Sequence, residues 1–197
     1  MADLILASGS ATRAAMLRAA GLDFEIVRPP VDEDAVKAGL RAEGLKPRDQ
    51  ADALAEVKAL AVSRRRGGLV IGADQMLALG DQAFDKPANR AEARDQLLCL
   101  RGQRHTLITA AVIARDGVAI WRQIETPRLT MRPFTDAFVD HYLDQMGEAA
   151  FASVGAYQLE GLGAQLFESI DGDYFSILGL PLLAVLAFLR EHGIAPK

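Results

Sequence analysis

A short apolar run, Leu4 to Ala7, passes through Ser8-Gly9-Ser10 into an alanine-rich helical stretch with Arg13 in its first turn. A strand that ends in small hydroxyl residues and turns straight into a helix aims free backbone N–H groups and serine hydroxyls at one point, as helix N-termini do when they hold phosphate. A cation in the first turn opposes the helix dipole, and a bound anion would give Arg13 its reason to be there. The alternative is an ordinary N-cap at Ser10 with Arg13 on the surface. Asp74 follows "LVIGA", at what that run predicts to be the carboxyl end of an interior strand, the place where open α/β sheets gather ligands. With the two strands parallel and adjacent, Ser8, Ser10, Arg13 and Asp74 share one pocket. An acid beside phosphate serves as a metal ligand or as a base for water, since otherwise it repels the substrate. The competing reading is a strand-end Asp that caps a turn.

Further charges fit the same chemistry. Lys58 falls on a stripe with Leu54, Ala61 and Val62, so it projects from an otherwise apolar helix face and either snorkels or meets an anion. Lys86 lies in the loop "FDKPAN", held extended by Pro87. Asp32-Glu33-Asp34 reads as a solvated turn, or supplies a carboxylate that completes a divalent-cation site with Asp74. In "GAYQLEGLGAQLFESIDGDYFSILGLP" the glycines beside Tyr157 and Glu160 let the backbone approach a flat ligand. A carboxylate there suits the N1–H and 2-amino edge of guanine, or else Glu160 simply ties down the loop.

The elements that must position these residues follow from patterning. Leu22 to Val27 alternates like a strand and ends at Pro29-Pro30; Arg48 to Arg66 is helical and closes on a basic turn and Gly67-Gly68. Leu69 to Gly72 reads as a central strand, followed by a hairpin turning at Gly80-Asp81. Asn89 to Glu92 has capping-box spacing and opens a helix to Arg101. His105 to Ala114 and Val118 to Arg132 read as long strands joined through Asp116-Gly117. Thr135 to Met146 is an amphipathic helix, and Pro181 begins the last one, which stops at Gly193. Helices alternate with strands early and antiparallel strands fill the middle, which predicts an α/β protein with a mixed, twisted sheet and flanking helices.

The totals exclude several classes. A chain of 197 residues, half of them hydrophobic, buries a substantial core and fits one domain or two closely joined lobes. The opening MADLILASGS has no basic region before its apolar run, so no export signal is expected, and no stretch reaches the length needed to span a bilayer. The single cysteine, Cys99, lies among leucines and reads as a packed thiol. Three scattered histidines without HxxxH or CxxC spacing argue against a zinc enzyme. A formal charge of −4 argues against a nucleic-acid binder, so a bound polyanion must meet a local cluster of cations.

Taken together in order, "LASGSATR", "VDE" at 31 to 33, "EVKA" around Lys58, "GADQ" at 72 to 75, "DKP" at 85 to 87, "AYQLEGLG" at 156 to 163 and "DGDYFSILGLP" at 171 to 181 resemble the Maf family of nucleoside triphosphate pyrophosphatases, also linked to septum formation. The resemblance implies a single Maf-like domain over 1–197, of Maf/ITPase-like α/β form, with two lobes around a central cleft. It further implies a cytoplasmic homodimer without membrane or nucleic-acid partners. The implied reaction is Mg2+- or Mn2+-dependent hydrolysis of a nucleoside triphosphate at the α–β bond. Carried over by motif, Asp74 is the catalytic acid residue, acting as base or metal ligand. Ser8, Ser10, Arg13, Lys58 and Lys86 hold the triphosphate, Glu33 assists Asp74 with the metal, and Gln75 and Glu160 help to select the base. The "DQ" and "EGLG" pair resembles the 7-methyl-GTP branch rather than the dTTP/UTP branch, which reads "GADT" and "QGLG". That branch carries Trp and a second Arg around the opening arginine, where this chain has Thr12 and Ala14. A dTTP/UTP-type enzyme, or a nucleotide-binding regulator of septum formation with little turnover, is the alternative.

Overall fold

All four side chains of β1 (Leu4–Ala7) are buried, the pattern of a parallel strand covered on both faces. In the computed structural model, which describes residues 3–196, β1 pairs in parallel with β2 (Glu25–Ile26) on one side and with β3 (Leu69–Leu79) on the other, Leu4 facing Leu69 and Ala7 facing Gly72. Alternate residues go to opposite faces. Leu4 and Leu6 join Leu17 of α1 (Ala11–Ala19) and Val185 and Leu189 of α7 (Leu182–Glu191), while Ile5 and Ala7 pack with Val62 of α3 (Pro47–Ser63).

These elements, β3 only as far as Gln75, belong to the first of two compact units, made of Met1–Gln75, Thr109–Glu125 and Asp173–Lys197. Its sheet continues from β3 to β5 (Arg104–Arg115), whose second half forms a hairpin with β6 (Val118–Glu125). The turn is the one expected: Asp116 and Gly117 both have positive φ, 52° and 78°, as a two-residue hairpin of this hand requires. Helix α3 lies against β3 at Gly72, where a Cβ would stand 2.3 Å from the Ala55 carbonyl oxygen and 2.6 Å from the Ala59 nitrogen. Arg122 of β6 ties the same helix down through Asp52 at 2.6 Å and Glu56 at 3.0 Å.

Three expectations change here. Leu22 belongs to the end of α1: its N–H donates to the Leu17 carbonyl, that of Gly21 to Arg18, and Gly21 has φ 77°, a Schellman stop that leaves only Glu25–Ile26 as strand. The acids at 32–34 do not form a turn; Asp32 caps α2 (Glu33–Ala42) by accepting from the Ala35 N–H at 3.0 Å, and Glu33 and Asp34 lie in the first turn, where the dipole favours them. Strand β3 does not stop at Gly72 but continues to Leu79.

The second unit comprises Met76–Ile108 and Thr126–Gly172. The last residues of β3 pair with β4 (Gln82–Phe84) across the expected Gly80-Asp81 turn. The first residues of β5 pair with β7 (Arg128–Met131), which pairs in turn with β8 (Phe167–Asp171). The run from Val118 to Arg132 is therefore two strands and not one, broken at Thr126-Pro127, where proline lacks the N–H a ladder needs. Helix α4 (Arg90–Leu100) starts at Asn89, whose side chain accepts from the Glu92 N–H, while Glu92 reaches back to the Ala88 N–H. Its buried face is Ala93, Leu97 and Leu100, so Cys99 falls on the other side and is exposed, contrary to the packed thiol expected from its leucine neighbours. Helix α5 (Asp136–Met146) falls where the amphipathic pattern places it, with Thr135 as its N-cap, accepting from the Phe138 N–H. No helix among the described residues is long and apolar enough to cross a membrane.

His105 is 1% exposed in this unit, hydrogen-bonded through Nε2 to the Tyr157 hydroxyl at 2.8 Å, with no partner on Nδ1. Burial pulls its pKa down to about 4. The unfolded chain binds this proton near pH 6.5 and the folded chain only near 4, so stability is lost as pH falls through that window. His105 alone is expected to remove about 2 kcal/mol between pH 7 and pH 5. Urea unfolding of wild type and His105→Gln at the two pH values checks this; equal pH sensitivity of the two proteins would contradict it.

Candidate active site

The opening turn is built as a hydrogen-bonded unit. Ser10 has extended dihedrals and caps α1 by accepting from the Arg13 N–H at 3.3 Å, and the Ser10 N–H donates to Ser8 Oγ at 3.2 Å. Both hydroxyls therefore act as acceptors toward the protein, which leaves their own hydrogens to be donated elsewhere. The Ala11 and Thr12 N–H groups are among the amides that an α-helix leaves without intrahelical partners. Ser8 itself is only 5% exposed.

Arg13 closes this turn from the side. Nε donates to the Gly179 carbonyl at 2.7 Å, and Nη1 donates to Ser8 Oγ at 3.2 Å and to the Ala73 carbonyl at 3.1 Å. Burial pulls the guanidinium below its ordinary pKa, opposed by the charges of Asp74 and Glu33; it remains a cation at any working pH. The first-turn arginine is thus a strut between β3 and the segment after α6 (Tyr174–Ile177).

The Ala73 carbonyl that Arg13 grips leads directly to Asp74. Parallel pairing with β1 ends at Gly72, so Asp74 stands just beyond the end of β1 although β3 itself continues. Lys58 reaches it from α3: Nζ lies 2.7 Å from Asp74 Oδ1 and 2.7 Å from Glu33 Oε2. Its apolar helix face is explained by this contact, since the lysine is buried and does not snorkel. Two of its three donors are committed, which leaves one for an anion. Asp74 Oδ2 is buried with no hydrogen-bond partner, a costly condition unless something else completes it.

Ser8, Ser10, Arg13, Glu33, Lys58 and Asp74 thus form one connected set within the first unit. Two carboxylates, one with an orphaned oxygen, are the hard-oxygen donors a divalent cation prefers. Among the described residues no group of three or more His, Cys, Asp or Glu could by itself hold a metal ion.

Gln75, the next residue on β3, has a role its spacing did not reveal. Its Nε2 donates to Thr109 Oγ1 at 2.8 Å and faces the Ser176 and Ile177 carbonyls at 3.0 Å each, while the Thr109 hydroxyl donates to Ser176 O at 2.7 Å. Asp173 secures the start of the same short helix through the Ser176 N–H and hydroxyl. Gln75 and Thr109 thereby brace α6, and the Gly179 carbonyl that follows holds Arg13. Thr109 carried no motif, so only its place opposite Gln75 in the folded chain discloses it.

Lys86 and Glu160 lie in the second unit, Lys86 in the exposed loop after β4 and Glu160 in an exposed turn. Two of the glycines near Glu160 serve the unit's own packing: a Cβ at Gly155 would meet Leu77 at 2.6 Å and the Tyr157 ring at 2.7 Å, and one at Gly163 would meet the Gln158 carbonyl oxygen at 2.3 Å. Tyr157 is buried against His105 and Phe167, which removes it from direct ligand contact.

A mixed α/β sheet with helices on both faces, opening at the carboxyl end of a central parallel strand, defines the class of protein. The profile of the family described as Maf-like protein matches residues 3–192, and the chain belongs to that family. It is 55% identical over 193 residues to a nucleoside triphosphate pyrophosphatase of Caulobacter vibrioides, covering 98% of this chain and 97% of the relative. It is 56% identical over 190 residues to a protein of the same name from Paramagnetospirillum magneticum, covering 96% and 98%. It is also 53% identical over 191 residues to a 7-methyl-GTP pyrophosphatase of Mesorhizobium japonicum, covering 96% of each.

Proposed function

We propose that this protein is a nucleoside triphosphate pyrophosphatase, a hydrolase of acid anhydrides that converts a nucleoside triphosphate to the monophosphate and pyrophosphate. The observation that carries this is the buried, unpartnered Oδ2 of Asp74 beside a lysine and a serine–arginine anion cradle. Phosphoryl chemistry needs charge neutralisation and an oriented water more than covalent help. Ser8, Ser10, the first amides of α1 and the third Lys58 donor receive phosphate oxygens. Asp74 Oδ2 orients a water toward the α-phosphorus and accepts its proton. As the new P–O bond forms, the bond from the α-phosphorus to the bridging oxygen breaks, and pyrophosphate leaves with that electron pair. Glu33 and Asp74 are the residues that would hold Mg2+ or Mn2+, which when bound neutralises the triphosphate and the departing pyrophosphate.

On sequence grounds the proposal extends to Lys86 as a further phosphate ligand and to Glu160 as the selector of a guanine-type base, with 7-methyl-GTP as the preferred substrate, in a homodimer. The 7-methyl-GTP pyrophosphatase name of the Mesorhizobium relative supports that preference, and a positively charged methylated guanine favours a carboxylate partner electrostatically. Incubation with Mg2+ or Mn2+ and a panel of 7-methyl-GTP, GTP, UTP and dTTP tests the substrate. Glu160→Gln is expected to lower kcat/KM for 7-methyl-GTP about tenfold relative to UTP, the scale of one charge-assisted hydrogen bond. Unchanged relative rates across the panel would remove Glu160 as the selector.

A further inference from the structure

We propose that Arg28 is a phosphate-binding residue of this same site, one that lies outside every motif quoted above; the inference rests on the pyrophosphatase reading above. The Val27 N–H donates to the Leu6 carbonyl at 3.0 Å, which carries the β1–β2 pairing one residue past Ile26 and brings the chain out at Arg28 beside the Ser8-Gly9-Ser10 turn. Pro29 follows, and the residue before a proline is held extended. The guanidinium then lies directly against Gly9: a Cβ built there would be 3.3 Å from Arg28 Nε, 3.7 Å from Cζ and 3.8 Å from Nη2. The missing side chain at Gly9 is what lets an arginine rest on the turn.

Arg28 is exposed and, among the described residues, has no hydrogen bond or ion pair. All five of its donors are available. Arg13, on the other side of the turn, is differently placed: its Nε and Nη1 are committed to Gly179, Ser8 and Ala73, which leaves only the Nη2 pair. Two cations flanking one serine turn at a helix N-terminus repel each other and the dipole unless an anion sits between them. Independently of the turn, the buried Oδ2 of Asp74, in the same connected set, has no hydrogen-bond partner and points to a ligand at this site. Arg13 is the strut that shapes the cradle, and Arg28 is the arm that contacts the phosphates as they enter.

The test uses the whole protein, with Arg28→Gln and Arg28→Lys, inorganic tripolyphosphate as a calorimetric ligand, and steady-state hydrolysis of the preferred nucleotide. Arg28→Gln is expected to weaken tripolyphosphate binding and raise KM about tenfold, with kcat within about twofold and an unchanged thermal midpoint. Arg28→Lys recovers part of the binding. Wild-type affinity for tripolyphosphate in Arg28→Gln, with the parent protein active, would overturn the role of Arg28 alone. A parent protein that neither binds tripolyphosphate nor hydrolyses any nucleotide would overturn the pyrophosphatase reading and the Arg28 role with it.

Discussion

Asp74→Asn is expected to lower kcat by about a thousandfold, within the range that a positioned general base contributes. The substitution is nearly isosteric, and the amide oxygen can keep the hydrogen bond that Lys58 donates to Oδ1 at 2.7 Å, so the fold should persist. What disappears is the chemistry of the second oxygen. Oδ2 is buried and satisfied by no protein donor; as a carboxylate oxygen it accepts a proton from water or binds a cation, whereas an amide nitrogen in its place does neither. KM should move much less than kcat, because the serine turn and the arginines are untouched. Steady-state kinetics at saturating nucleotide, with circular dichroism to confirm folding, decides the matter; a variant retaining more than about a tenth of the parent kcat would strip Asp74 of its role.

Gly72→Ala is expected to destabilise the protein by about 3 kcal/mol, the upper part of the range for overpacking. The new methyl would stand 2.3 Å from the Ala55 carbonyl oxygen and 2.6 Å from the Ala59 nitrogen, and both are helix backbone that cannot swing away. Helix α3 must lift from β3, and it carries Lys58 between Ala55 and Ala59. Activity should therefore fall together with stability, since Lys58 loses its register with Asp74. Gly39→Ala in α2 is the control: nothing lies within 4 Å of the added Cβ, and alanine in a helix interior should stabilise by up to about 1 kcal/mol. Urea midpoints of the two variants should move in opposite directions, and a Gly72→Ala midpoint equal to that of the parent would contradict the close packing of strand and helix.

Local chemistry made much of this legible from residue types alone. Gly80-Asp81 and Asp116-Gly117 announced their hairpins because few residues tolerate positive φ. Ser10 and Asn89 announced their helices because each offers an oxygen to an otherwise orphaned N–H. The opening serine turn and the exposed-looking lysine on an apolar face were readable for the same reason, since a charge in the wrong place implies a partner. Where the partner is distant in sequence, the signal vanishes. Asp74 and Gln75 interrupt the apolar run "LVIGADQMLAL", so the strand seemed to end where it continues. Polar residues inside a central strand break the pattern because they serve the site. The acids at 32–34 read as a solvated turn because three adjacent charges favour solvent; in the folded chain the first caps α2 and the other two lie in its first turn, where the helix dipole favours them. Arg28 and Thr109 carry no motif; their significance comes from pairings, Val27 with Leu6 and Gln75 with Thr109, that only the folded sheet creates. Of the glycines near Glu160, Gly155 accommodates Leu77 and the Tyr157 ring, a packing demand that the sequence pattern does not disclose, whereas a Cβ at Gly161 would meet nothing closer than 3.9 Å.

Hydrolysis in water enriched in oxygen-18, with both products resolved by mass spectrometry, bears most directly on the chemistry assigned to Asp74. Attack at the α-phosphorus places the label in the nucleoside monophosphate and leaves the pyrophosphate unlabelled. Label recovered in pyrophosphate, or release of nucleoside diphosphate with orthophosphate, would mean that a different phosphorus is attacked and that this site does not perform the reaction.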